Sequence, residues 1–194
     1  MGPGELEEED PRSLRVRAFF GLPVPAPQSE ELARFVAACA QMAPSFRWTP
    51  KENLHLTIRF IGNVERALVE AVADALADRP LAAFEIEPGE VGSFGRVRAA
   101  RVVWLGLRTG AEAATALAAH VEAGCVLAGL RGESRPYQAH ITLARARSRA
   151  GASLPELPAV PRVKPWRADH LVLYSSRLTR TGAVYEAMRT LVLA

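Results

Sequence analysis

At 194 residues, with 49% hydrophobic and 23% charged side chains, the chain has the size and composition of one well-buried globular domain. No apolar run approaches the roughly 20 residues of a spanning helix. The acidic N-terminus lacks the apolar segment of a secretory signal, so a cytoplasmic protein without membrane contact is expected. The formal charge of +3 hides a division: five acids and no Lys or Arg lie in residues 1–10, and without them 24 basic residues face 16 acidic ones, a balance that suits an anionic partner.

Residues 1–13 combine Gly2, Pro3, Gly4 and Pro11 with the acid run. Such a segment buries too little to offset the entropy of ordering, which predicts a disordered acidic tail ahead of one domain over 14–194. Leu14 to Leu22 alternates and is rich in Val and Phe, the pattern of a first strand, ended by Pro23, Pro25 and Pro27. Ser29 is placed to cap a helix whose apolar stripe is Leu32, Phe35, Val36 and Cys39, and Pro44 stops it. A strand follows over Asn53 to Ile61, a turn at Gly62-Asn63, and a second amphipathic helix over Val64 to Asp78.

Phe84 to Val91 and Val97 to Leu107 read as a strand pair joined by Gly92-Ser93-Phe94-Gly95. Ala111 to Leu130 is a third, Ala-rich helix. Gln138 to Ala144 is a strand, Ser148 to Pro161 a loop, and Asp169 to Ser175 and Ala183 to Leu191 are final strands around a turn at Thr181-Gly182. Strands and helices mixed with hairpins argue for an α+β fold. Cys39 and Cys125 lie in helical stretches without metal-like spacing, and read as buried, reduced thiols.

Two short strands carry one pattern. Leu54-His55-Leu56-Thr57-Ile58 and Ala139-His140-Ile141-Thr142-Leu143 each read apolar, His, apolar, Thr, apolar, and their histidines are 85 residues apart. Side chains alternate along a strand, so His55 and Thr57 share a face, as do His140 and Thr142, and the apolar positions point into a core. The two halves look alike, which suggests an internal duplication with one histidine strand in each.

A neutral imidazole takes a proton and an imidazolium gives one near neutral pH. Two opposed imidazoles can activate a nucleophile on one side and protonate a leaving group on the other, with threonine hydroxyls donating to an oxyanion between them. A phosphodiester is a suitable substrate if a guanidinium also meets the phosphoryl oxygens. Arg131, Arg135, Arg145, Arg147 and Arg149 surround the second motif. Strand parity puts Arg59, four after His55, on the histidine face, and leaves Arg145, five after His140, off it unless the strand twists or ends.

Blander readings compete. A single His-x-Thr usually marks a half-buried strand, and a run of arginines is often a solvated face. His120 and His170 have no companion and read as structural or exposed; Trp48, Trp104 and Trp166 read as core or rim. No G-x-S-x-G elbow, Walker loop, G-x-G-x-x-G or H-E-x-x-H occurs, and no histidine has metal-ligand neighbours, so neither metal nor cofactor is expected.

At these residues the chain resembles the 2H phosphoesterases, and most of all the bacterial and archaeal RNA 2′,3′-cyclic phosphodiesterases, historically called 2′-5′ RNA ligases. The resemblance runs through RAFFGLPVP, NLHLTIRFIG, the F-G and R-V-V-W-L-G-L segments, R-P-Y-x-x-H-I-T-L-A-R and L-V-L-Y-S-S-x-L-x-x-x-G-x-x-Y. It implies a bilobal, pseudo-twofold α+β fold, with antiparallel sheets flanked by helices around a central cleft. It implies His55 as general acid toward the leaving 3′ oxygen, His140 as general base toward water, a 2′-phosphomonoester product, and Thr57 and Thr142 as phosphate donors. It favours Arg145 over Arg59. Ala139 departs from the Pro often found before the second histidine. A monomer acting on RNA with a 2′,3′-cyclic phosphate end, or on a cyclic nucleotide, is expected. The alternatives are a phosphodiesterase for 2′-5′ oligonucleotides or small cyclic phosphates, and a non-catalytic RNA-end binder.

Overall fold

The alternating stretches assemble into a single antiparallel system. In the computed structural model, residues 15–96, 98–180 and 182–194 are described; the acidic segment expected as a tail lies outside them, as does Thr181. Chain order is β1 (Arg15–Pro23), α1 (Ala26–Met42), β2 (Phe46–Trp48), a 3-10 turn (Lys51–Asn53), β3 (His55–Glu65), α2 (Arg66–Ala77), β4 (Phe84–Arg96), β5 (Ala99–Thr109), α3 (Ala111–Leu127), β6 (Ile141–Ala146), β7 (Trp166–Ala168), β8 (His170–Leu178) and β9 (Ala183–Val192). The strands lie in the order β7-β4-β5-β6-β3-β1-β8-β9, with β2 also on β6. Every pairing is antiparallel, as the α+β reading requires.

The two motif strands, β3 and β6, are central neighbours, and they join the β1-β8-β9 half to the β4-β5 half. Their register contact is the single pair Leu56 with Ile141. The strands otherwise diverge, which opens a cleft on one side of the seam. On the other side the apolar residues of both motifs are sealed: Leu56, Ile58, Ile141 and Leu143 are each no more than 2% exposed. They share one core with the stripes of α1 (Leu32, Phe35, Val36), α2 (Val69, Val72, Leu76) and α3 (Leu117, Val121). Each such aliphatic side chain contributes roughly 1.5–3 kcal/mol on burial. This explains why the motif strands alternate so strictly.

Several boundaries differ from the sequence reading. Helix α1 begins at Ala26 behind Pro25, and Ser29 lies inside it, buried, with its hydroxyl donating to the Ala26 carbonyl at 3.1 Å. The preorganised φ of proline starts this helix, not a serine cap. Gly62-Asn63 is no turn: β3 continues to Glu65 because β1 pairs along its whole length, and α2 starts at Arg66. The Gly92–Gly95 segment stays in β4, which reaches Arg96 before the chain reverses. Strand β6 starts at Ile141, one residue after its histidine, and α3 ends at Leu127. The three-residue strands β2 and β7 carry too little periodicity to be seen in the sequence. Cys39 and Cys125 are buried free thiols. Among the described residues, no helix is long and apolar enough to cross a membrane.

Candidate active site

The antiparallel seam runs the two motifs in opposite directions. With Leu56 opposite Ile141, His55 lies toward Thr142 and Thr57 toward His140. Each histidine is held in the same way. His55 donates from Nδ1 to the Asn53 carbonyl at 2.7 Å, and His140 donates from Nδ1 to the Gln138 carbonyl at 2.7 Å. A carbonyl only accepts, so both neutral rings carry their proton on Nδ1 and leave Nε2 as the reactive nitrogen. His55 Nε2 accepts from the Thr57 hydroxyl at 3.0 Å. The Asn53 amide donates to the Ala183 carbonyl at 2.7 Å, which pins the residue that orients His55 to β9.

Aromatic walls enclose each imidazole. Phe19 (ring centroid 4.8 Å) and Tyr185 (5.3 Å, edge on) pack on His55, with Tyr174 at 6.3 Å. Phe94 (4.9 Å, edge on) and Trp104 (6.2 Å) pack on His140. Two glycines make room for these contacts. A Cβ on Gly21 would lie 3.2 Å from the His55 ring, and one on Gly92 would lie 2.2 Å from the Trp104 indole.

Burial dominates the electrostatics. It lowers the His55 pKa from 6.5 to about 4, aided by the positive charge of Arg145 and the neighbouring His140 and opposed by the Asn53 hydrogen bond. It lowers His140 too, with Arg145 again adding to the effect and the Gln138 bond opposing it. Both imidazoles are therefore neutral at pH 7 in the free protein. The electrostatic influence of His140 and Arg145 on His55, and of Arg145 on His140, places the three groups in one site. Arg145 is exposed, and among the described residues no carboxylate pairs with it.

The parity argument for the arginines fails for one physical reason on both strands. Between Phe20 and Gly21 of β1, the partner strand β3 advances from Arg59 to Thr57, so β3 holds an extra residue there. A bulge of this kind reverses the alternation beyond it. Arg59 turns to the helix side, where it forms an ion pair with Glu122 of α3, lies 3.9 Å from Glu133, and donates to the Arg131 carbonyl at 2.7 Å. On β6 the equivalent extra residue falls between Thr142 and Ala144, opposite Trp104 and Val103. Leu143 and Ala144 are consecutively buried at 0%, and Arg145 returns to the histidine face. The cation that parity placed in the site is a structural one, and the cation it excluded is beside the histidines.

Tyr137 was absent from the sequence-derived site. Its hydroxyl donates to the Thr57 carbonyl at 2.9 Å, a second fastening across the seam besides the Leu56–Ile141 pair. Phe19 was legible in principle. Alternation along β1 puts Ala18, Phe20 and Leu22 in the core and Arg17, Phe19 and Gly21 on the cleft face. His120 lies within α3, and His170 pairs at the surface with Asp169 at 2.6 Å. Among the described residues, no three His, Cys, Asp or Glu side chains converge as a metal site.

Known proteins share this fold. A family model described as LigT like Phosphoesterase matches twice in succession, over residues 22–104 and 105–185, in keeping with an internal duplication. An RNA 2′,3′-cyclic phosphodiesterase of Aeropyrum pernix is 30% identical over 163 residues, covering 81% of this chain and 92% of the relative. One from Methanothermobacter thermautotrophicus is 28% identical, covering 90% and 97%. Among solved structures, Escherichia coli LigT with 3′-AMP superposes with a TM-score of 0.80 at 24% identity, covering 93% and 99%, a likeness of fold. A Thermus thermophilus protein gives 0.73 at 28% identity, covering 91% and 97%. With both halves matched and both motif strands meeting at one cleft, the chain belongs to the LigT-like phosphoesterase family.

Proposed function

We propose that this protein hydrolyses RNA 2′,3′-cyclic phosphate ends to 2′-phosphomonoesters by general acid–base catalysis between His55 and His140. The observation that carries the reading is the matched pair of imidazoles, each locked through Nδ1 to a backbone carbonyl two residues upstream, with Arg145 within electrostatic reach of both. The names of the relatives supply the substrate class.

In this mechanism His140 Nε2 takes a proton from water as the water oxygen attacks phosphorus. The P–O3′ bond breaks, and His55 gives its proton to the departing O3′. The Thr57 and Thr142 hydroxyls and the Arg145 guanidinium receive the charge that builds on the phosphoryl oxygens. The neutral resting state of His55 suits this scheme when substrate supplies the missing charge. A bound phosphate anion offsets both the burial penalty and the Arg145 field, and so raises the affinity of His55 for its proton. Ligation of RNA ends follows the same path with an RNA 5′-hydroxyl in place of water: its oxygen attacks phosphorus as His140 takes the proton, the P–O3′ bond breaks, and a 2′-5′ linkage forms. The chain acts as a monomer in the reducing cytoplasm, a placement that suits two buried thiols pushed up to about 11.

His55→Ala and His140→Ala should each lower turnover of a cyclic-phosphate RNA end by about 10²–10⁴-fold. Activity should survive EDTA, because the acid–base pair uses no metal. Full activity in both variants would refute the reading. RNA-end binding that survives both substitutions with no turnover in the wild type would favour a binder. An aryl phosphodiester with a low-pKa leaving group separates the roles: it needs no acid, so it should restore rate to His55→Ala and not to His140→Ala. The opposite rescue would exchange the assignments.

A further inference from the structure

On the cleft face of β1, one row beyond Phe19, stands a second guanidinium that the proposed chemistry does not use. Arg17 donates from Nη1 to the buried Ser176 hydroxyl at 2.8 Å, and its Cζ lies 4.6 Å from the centre of the Phe60 ring. Ser176 pairs in register with Tyr185, so Arg17, Ser176 and Tyr185 form one row across β1, β8 and β9. The Tyr185 hydroxyl feels the positive charge of both Arg145 and Arg17. The cleft therefore holds two cations within electrostatic reach of one tyrosine. Among the described residues no carboxylate pairs with Arg17, unlike Arg59, Arg66, Arg108 or Arg189.

Phe60 adds the second half of the feature. It is 44% exposed, although every other aromatic named on this face is at least partly covered. It follows the β3 bulge, which turns its ring out onto the cleft side while Arg59 turns in. The same five-residue step from the motif histidine reaches Phe60 in the first half and Arg145 in the second. The two halves of the cleft are thus chemically different at equivalent places: a cation beside the histidines in one, an exposed ring carrying a cation in the other.

Resting on the proposed function, we infer that Arg17 and Phe60 form a subsite for the nucleotide next to the cyclic end. Arg17 takes its phosphodiester and the exposed Phe60 ring stacks its base. A guanidinium held over an aromatic ring keeps N–H donors free for an anion, and base–aromatic stacking tolerates any base. The protein then prefers an RNA chain end to a cyclic mononucleotide, without reading its sequence.

The test compares kcat/KM for a 2′,3′-cyclic mononucleotide and for a short oligoribonucleotide with the same 2′,3′-cyclic end, in wild type, Arg17→Gln and Phe60→Leu. The wild type should favour the oligonucleotide by about tenfold or more. Arg17→Gln should remove most of that preference and change the mononucleotide by less than about twofold. Its salt dependence on the oligonucleotide should flatten by about 0.7 in the log–log slope, the value for one lost phosphate contact on a single strand. Phe60→Leu, at an exposed position that folding tolerates, should lower the oligonucleotide rate selectively without changing that slope. Equal losses on both substrates, or no wild-type preference, would overturn the subsite and leave the proposed function standing. A wild type inert on both substrates would remove the proposed function and the subsite together.

Discussion

At the scale of single residues, the site is governed by what surrounds the two imidazoles. Their Nδ1–H bonds to Asn53 and Gln138 set the tautomer, and burial lowers both pKa values below the ordinary 6.5. A pH profile of kcat/KM reports groups in the free enzyme. Rising pH removes the proton from the acid, and falling pH fills the base. Since both groups titrate low, both limbs move toward acid, and the kcat/KM optimum should fall below pH 6.5. The kcat profile reports the complex, where bound phosphate favours protonation, so its optimum should lie at higher pH. Coincident profiles centred near 7 would contradict the burial argument. The two histidines and two threonines were legible because a two-residue period is a local property. Apart from Phe19, their aromatic walls were not, since Tyr174, Tyr185, Phe94 and Trp104 arrive from four other strands.

At the scale of elements, the extra residue that follows the threonine in each motif strand decides which arginine faces the histidines. This predicts opposite phenotypes for two arginines. Arg59→Met removes the partner of Glu122 under α3, and should cost about 2 kcal/mol in urea unfolding, discounted for partial exposure, with kcat within about twofold of wild type. Arg145→Gln should leave stability within about 0.5 kcal/mol and lower kcat/KM by about 10²-fold. Loss of activity in Arg59→Met at unchanged stability would overturn this division. The β4–β5 hairpin supports the second histidine similarly. Gly92→Ala drives a methyl into the Trp104 indole, so the wall of His140 must move. The expected result is about 1–3 kcal/mol of destabilisation together with about a tenfold loss of kcat/KM, greater than a remote overpacking mutation would give. A variant with wild-type kinetics would show that the wall is dispensable.

At the scale of the whole molecule, the two halves meet at a narrow seam, and the site straddles it. Leu56 with Ile141 and the Tyr137 hydroxyl on Thr57 tie the motif strands together. Tyr137→Phe keeps the ring and loses the tie. It should cost about 1 kcal/mol of stability and lower kcat several-fold, with KM and the shape of the pH profile unchanged. A shifted pH profile would instead mean that Tyr137 acts on the charge of the histidines. The sequence alone determined the paired His-x-Thr strands, the core faces of the strands and helices, and the duplication, because short periods and repeated motifs are written in neighbouring residues. It misread the start of α1, the ends of β3 and β4, and the facing of Arg59. Only the tertiary structure decided the strand ends and the facing of Arg59, because strand length and bulge position depend on the partner strand; the start of α1 is set locally by proline. Arg145 returns to the histidines only where β6 accommodates an extra residue against β5, and no property of residues 140–145 taken alone requires it.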